Sequence, residues 1–279
     1  MNKLLMYLFL SSLILAGCKG SKEILPREVG ISFSIRSLSS SQSGSAESQD
    51  ESVISKVVMF GLDAQGVVVE SYPAVNVSST AKITQIISDD VKSLYAIVNP
   101  STALAAKTPA SLTELKALTA DFTNAPQSPF LMSGNANVNG STVDIELVRC
   151  VAKVVVSGVN GFVVQSVTVM NTPDQGYVFA QATLSVPSTA RVNYPESQKQ
   201  TVYVAENTSQ KPTELTVKGT FKGESISKVL PFEMDGKLVN IERNKCYLIS
   251  VTQDPGKECN ISISIVDWEE VELDPQYFD

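Results

Sequence analysis

Along most of this chain apolar residues alternate with polar ones at the two-residue period of β-structure. Val29, Ile31, Phe33 and Ile35 are separated by Gly30, Ser32 and Ser34, which predicts a strand with one buried face. Val57 to Leu62 and Val67 to Val69 flank Asp63-Ala64-Gln65-Gly66, a hairpin connection whose glycine can take a positive φ. Further strands are predicted at Leu94–Val98, Val143–Val148, Val151–Val156, Val163–Met170, Thr201–Val204, Leu215–Phe221, Ile226–Phe232, Tyr247–Val251 and Ile261–Trp268. Turn signals such as Gly140, Asp235-Gly236 and Asp254-Pro255-Gly256 separate many of them at the spacing of β-sandwiches. One helix interrupts the series: Ser111-Leu112-Thr113-Glu114 is a capping box, and Leu112, Leu115 and Leu118 recur on one helical face. The split between a helix-bearing half and a purely β half falls near Leu147–Val151.

Composition narrows the chemistry. The 279 residues contain no histidine, so Ser-His-Asp and Cys-His catalysis and His-ligated metals are excluded. A balance of 22 basic against 29 acidic side chains gives a net charge of −7, the wrong sign for binding a nucleic-acid duplex. With 43% hydrophobic and 18% charged residues the chain is a folded one. The pattern therefore predicts a non-enzymatic β-protein with no catalytic residue, no metal site and no nucleic-acid partner.

The first residues set the compartment. Met1-Asn2-Lys3 precedes an apolar run from Leu4 to Leu15, too short for a permanent span and the size of a signal-peptide core. It ends in Leu15-Ala16-Gly17-Cys18, which looks like a bacterial lipoprotein signal-peptidase site. Residues 1–17 then form the signal peptide, Cys18 carries the acyl chains, and 18–28 are a polar tether to the membrane. Each buried methylene of such a lipid contributes ~0.8 kcal/mol, so multiple chains hold firmly. The covalent lipid is the only non-protein group expected. Ser37 to Ser55, rich in Ser, Gln and acids, reads as a loop or linker.

The order of these features resembles a family. The lipobox, the alternating strand with Arg36 behind it, the Leu94-Tyr95-Ala96-Ile97-Val98-Asn99 strand, the Ser111–Leu118 helix and Phe130-Leu131-Met132-Ser133-Gly134 are similar to the N-terminal domain of fimbrillins, subunits of type V pili in Bacteroidales. Leu147 to Val156, Tyr203-Val204-Ala205-Glu206-Asn207, Arg243 to Val251 and Val266-Asp267-Trp268 resemble the C-terminal domain. The resemblance implies an all-β fold of two transthyretin-like Greek-key β-sandwich domains in tandem, spanning 29–148 and 149–268, with one short helix in the first. It also implies export as an outer-membrane lipoprotein, removal of the first strand by a trypsin-like protease, and polymerisation by strand exchange with other copies or paralogous pilus subunits.

The residues suit that mechanism. A sandwich that loses an edge strand exposes unpaired backbone groups over an apolar floor, which an extended segment can fill. The strand to be removed, within 29–36, has Val29, Ile31, Phe33 and Ile35 as its apolar teeth. Arg36 follows the last tooth directly and is the expected cleavage point; the other reading is an ordinary solvent-facing strand residue. After Trp268, residues 269–279 carry Val271, Leu273, Pro275 and Tyr277 at the same two-residue spacing. These four either plug a neighbour's groove as a donor strand or pair within their own sandwich. Pro275 lacks an N–H and suits an edge or donor strand.

Other residues carry less. Cys150 shares the alternating face of Ala152, Val154 and Val156 and is expected to be buried; a two-residue hairpin at Asp254-Pro255-Gly256-Lys257 would set Cys259 opposite Thr252 and not Cys246. Ser225-Ile226-Ser227-Lys228 matches a Ser-x-x-Lys spacing but lies in a strand, where that chemistry needs a helix start. Two functions stay open: a fimbrial subunit that supports adhesion, and a non-polymerising surface lipoprotein, either a pilus anchor or a module that binds a glycan or host protein.

Overall fold

The computed structural model describes residues 26–36, 49–77, 81–234, 236–253 and 259–267. Cys18 and the signal segment, residues 37–48 and 254–258, Trp268 and the tail residues Val271, Leu273, Pro275 and Tyr277 lie outside the described residues.

The first half carries β1 (Arg27–Ile35), β2 (Lys56–Leu62), β3 (Val68–Asn76), β4 (Lys82–Ile87), β5 (Ser93–Val98), β6 (Thr119–Asp121), β7 (Met132–Asn137) and β8 (Thr142–Arg149). Seven of them form one sheet in the order β3-β2-β5-β7-β8-β1-β4. β7 pairs with β5 along its length but meets β8 only from Met132 to Gly134, so the sheet folds over there into two layers. Val57, Met59, Leu94, Ala96 and Val98 of one layer pack on Val29, Ile31, Phe33, Ile87, Val143, Ile145 and Leu147 of the other. A Cβ on Gly134 would lie 2.2 Å from the Glu146 carbonyl oxygen, so only glycine lets the strands cross this closely.

β2 is apolar on both faces. Its second face, with Val58, Phe60 and Leu62, packs with Ile97 under Leu104 and Leu115. Those leucines belong to two short helices, α1 (Thr102–Ala105) and α2 (Leu112–Lys116), where one helix was expected. α2 begins as predicted, its N-cap Ser111 hydroxyl accepting from the Glu114 N–H at 3.3 Å. α1 is a single turn capped by Ser101, too short to leave a periodic apolar signal.

The second half contains β9 (Val151–Gly158), β10 (Phe162–Met170), β11 (Thr172–Pro173), β12 (Gln175–Tyr177), β13 (Arg191–Val192), β14 (Thr201–Ala205), β15 (Glu214–Phe221), β16 (Glu224–Pro231), β17 (Glu233–Met234), β18 (Lys237–Leu238), β19 (Lys245–Gln253) and β20 (Cys259–Asp267). The sheet β14-β9-β19-β20 faces β10-β15-β16 across a core that includes Val154, Val156, Val167, Leu215, Val217 and Ile249. The topology echoes the first half. β9 lies between antiparallel β14 and parallel β19, as β1 lies between antiparallel β4 and parallel β8.

The halves interlock. β12 pairs with β6, and Val178 and Phe179 join the apolar cluster over β2. Cys150 is buried as expected but packs with Val151 in the first core, whereas Ala152, Val154 and Val156 face the second, because the chain passes between two cores at this point. In the β19–β20 register Cys259 stands opposite Gln253, not Thr252, since five residues and not two connect the strands. Cys246 pairs with Val266, which puts Cys246 and Cys259 at opposite ends of the hairpin.

Candidate functional site

The strand expected to be removable is built into the sheet more deeply than an edge strand. β1 runs parallel to β8 with Gly30 to Ile35 opposite Thr142 to Leu147, and antiparallel to β4 with Arg27 to Ser32 opposite Ile87 to Lys82. The expectation of an edge strand is thereby corrected: β4 is the edge, and β1 is its partner in the sheet. The physical reason is that both backbone edges of β1 are paired, to β8 on one side and β4 on the other, whereas its apolar face is covered by the opposite layer whichever place it takes in the sheet. Val29, Ile31 and Phe33 are 0%, 1% and 6% exposed, and Ile35 is half-buried against the same core. At ~1.5–3 kcal/mol per buried side chain, the three inner teeth hold the strand with roughly 5–9 kcal/mol of apolar burial.

The outward residues add polar stitching. The Ser32 hydroxyl donates to the Asp144 carboxylate, and Arg27 lies 3.9 Å from Asp89. Removing β1 takes from β8 a parallel partner and from β4 the strand that joins it to the sheet, leaving a groove with backbone donors and acceptors on both walls.

Arg36 ends the strand. Its N–H donates to the Leu147 carbonyl at 2.8 Å, and its guanidinium, 43% exposed, lies 3.9 Å from the Glu146 carboxylate. Its carbonyl accepts from Asn244 Nδ2 at 3.1 Å, a contact with the second half of the chain. Asn244 sits in the turn before β19 with φ +57°, a left-handed position that asparagine tolerates.

Behind Arg36 lies a buried polar cluster that sequence reasoning did not find. Glu51, on the 3₁₀ turn Gln49–Ser52, forms an ion pair with Lys153 of β9 at 2.9 Å, each side chain 3% exposed. Tyr203, opposite Lys153 on β14, donates its hydroxyl to the same carboxylate. Burial, and then the hydrogen bond to Glu51, push the Tyr203 phenol well above its ordinary value. Arg149, 1% exposed, donates through Nε to the Glu51 carbonyl at 3.2 Å and through Nη1 to Asn244 Oδ1 at 3.3 Å. The one signal in the sequence was Lys153, a charge inside the apolar run Val151–Val156. A second junction surrounds the Val178 carbonyl, which accepts from Ser133 Oγ at 2.7 Å and Arg243 Nη1 at 2.8 Å, while Arg243 also pairs with Glu206.

Among the described residues no three His, Cys, Asp or Glu side chains are grouped so as to hold a metal. Ser225 and Lys228 lie on β16, an exposed strand, with no helix beneath them. The donor residues of the tail and Cys18 fall outside the described residues, so the groove and Arg36 are the parts of the expected site that the fold positions.

No protein-family model and no curated protein matches the sequence. Solved structures do share its fold. A protein from Bacteroides eggerthii, assigned provisionally to cell adhesion, superposes with a TM-score of 0.63 at 17% identity, covering 86% of this chain and 96% of its own. A C-terminally truncated tip fimbrial protein from Porphyromonas gingivalis gives 0.57 at 14% identity, over 87% and 100%. A fimbrilin from the same species gives 0.55 at 14% identity, over 88% and 99%. At these identities the likeness is one of fold, and it is the all-β sandwich fold of fimbrial proteins.

Proposed function

We propose that this chain is a structural subunit of a cell-surface fimbria, anchored first in the outer membrane by lipid on Cys18 and then trimmed after Arg36 by a trypsin-like protease. Trimming releases β1 and opens the groove between β4 and β8. The tail of another copy, or of a paralogous subunit, enters it with Val271, Leu273, Pro275 and Tyr277 in place of Val29, Ile31, Phe33 and Ile35. The polymer so formed supports adhesion; it needs no cofactor, no catalytic residue and no nucleic acid.

The observation that carries this reading is the placement of β1: an alternating strand with three fully buried teeth, held between two strands and followed at once by a half-exposed arginine. A shared fold with fimbrial proteins supports it. N-terminal sequencing of the protein isolated from the cell surface tests it. A start at Ser37 in protease-resistant multimers is the expected result. A start at Cys18 in a monomer overturns it in favour of a surface lipoprotein that does not polymerise. Deleting residues 270–279 is expected to leave a folded monomer that forms no filaments.

A further inference from the structure

The carbonyl of Arg36 is already in use. Asn244 Nδ2 donates to it at 3.1 Å, and the orientation of that amide is fixed from behind, because Oδ1 accepts from the Arg149 N–H at 3.4 Å and from Arg149 Nη1 at 3.3 Å. The Asn244 backbone is held as well, its N–H donating to the Val151 carbonyl at 2.8 Å. The side chain is 4% exposed. Both polar groups of the Arg36 main chain are thus bonded, while its guanidinium stays half in solvent.

A serine protease that cuts after arginine needs two things from this residue: the guanidinium in its specificity pocket and the carbonyl oxygen in its oxyanion hole. The first is on offer and the second is occupied. We propose that Asn244 is a positioning residue for the processing step, withholding the scissile carbonyl from the protease until this contact between the two halves opens. The inference rests on the reading of Arg36 as the cleavage point. The reaction itself is hydrolysis: one water adds across the Arg36–Ser37 amide, leaving a carboxylate on Arg36 and an amine on Ser37. Its rate follows the opening of the Asn244 contact when opening and closing are fast relative to cleavage. Processing of a chain whose second half is fully folded is therefore slower than processing of one in which the turn before β19 has come loose.

Limited digestion of the full chain with trypsin under native conditions tests this, with mass spectrometry following the new terminus at Ser37. Asn244→Asp keeps an acceptor for Arg149 and tolerates the positive φ but loses the donor; Asn244→Gly keeps the φ and loses the side chain. Both are expected to be cut after Arg36 about five- to tenfold faster than the parent, the worth of one net hydrogen bond. Cleavage after Lys222, in the turn that joins β15 to β16, is the internal standard and should not change. Equal rates after Arg36 in all three chains overturn the proposal, and so does a parallel rise at Lys222, which marks general loosening. If Asn244→Asp accelerates trypsin while the surface protein begins at Cys18, the guard stands and the processing reading falls.

Discussion

Glu51 and Lys153 lie 102 positions apart in sequence and 2.9 Å apart in space, each with 3% of its side chain exposed. They join the segment that follows Arg36 to the central strand of the second half. Desolvating two charges is repaid only where the remaining lone pairs and protons find partners, and Tyr203 supplies one to the carboxylate. Removing the Glu51 carboxylate leaves the Lys153 ammonium buried without the counterion it holds at 2.9 Å. Glu51→Gln is expected to lower stability by about 3–5 kcal/mol, while the double change Glu51→Leu with Lys153→Met costs less, about 1–3 kcal/mol, because the Tyr203 hydroxyl still gives up this acceptor. Urea unfolding midpoints measure both, and equal losses in the single and double variants would contradict the account.

The teeth of β1 give a prediction that depends on the state of the chain. In the uncut protein Ile31 is 1% exposed within the first core, so Ile31→Ala should cost about 2–5 kcal/mol. After cleavage at Arg36 and loss of the strand, the same substitution has nothing left to act on. A synthetic peptide of residues 27–36 should bind the trimmed chain, and an Ile31→Asp peptide should not, since it would place a carboxylate on the groove floor. Fluorescence anisotropy of the labelled peptides decides this; equal binding of the two removes the groove from the mechanism.

Much of this architecture was legible because strands with one buried face write their period into the sequence. β1, β8 and β15 show it, and their ends fall within one or two residues of the prediction. β4 and β7 left no such trace. β4 is an edge strand whose Ile86 is 62% exposed, and β7 reads Met132-Ser133-Gly134-Asn135-Ala136-Asn137, small and polar where the sheet folds over. The position of β1 between two neighbours was not legible either, since alternation reports which face is buried and not how many strands flank it. The polar cluster at the junction was hidden for a related reason: Glu51, Lys153 and Asn244 come from three distant segments, and their partners are set by the fold.

The crossing of β7 and β8 is a second place where one residue decides the fold. Gly134 stands opposite Leu147, and a Cβ there would meet the Glu146 carbonyl oxygen at 2.2 Å and Ile145 Cγ2 at 3.0 Å. Backbone oxygen cannot swing aside as a side chain can, so Gly134→Ala must pry the two layers apart. It is expected to cost about 3 kcal/mol or more, the upper end of overpacking penalties. Gly140 is the control, because an added Cβ there meets nothing within 4 Å, and Gly140→Ala should leave stability unchanged or raise it by up to ~1 kcal/mol. Thermal unfolding of the two variants distinguishes a close crossing from a general need for glycine.

Cys150 contributes to the alkaline pH dependence of the junction. Its thiol is 1% exposed and donates to the Val178 carbonyl at 3.2 Å. Burial pushes it up from 9.0 to about 11, opposed in part by the nearby Arg243 guanidinium. The unfolded chain loses this proton near the ordinary value and the folded chain holds it, so the thiol's contribution is fully present below pH 9 and is lost as pH rises through about 11. A shift of that size corresponds to roughly 2–3 kcal/mol. Cys150→Ala should remove this share of the alkaline slope, which appears as a difference between the two chains in urea midpoints measured at neutral pH and above pH 10. The same burial predicts that the thiol reacts with iodoacetamide at pH 8 only as fast as the junction opens. Rapid alkylation of the folded chain, or identical alkaline slopes in parent and variant, would mean that Cys150 is not sealed between the two halves.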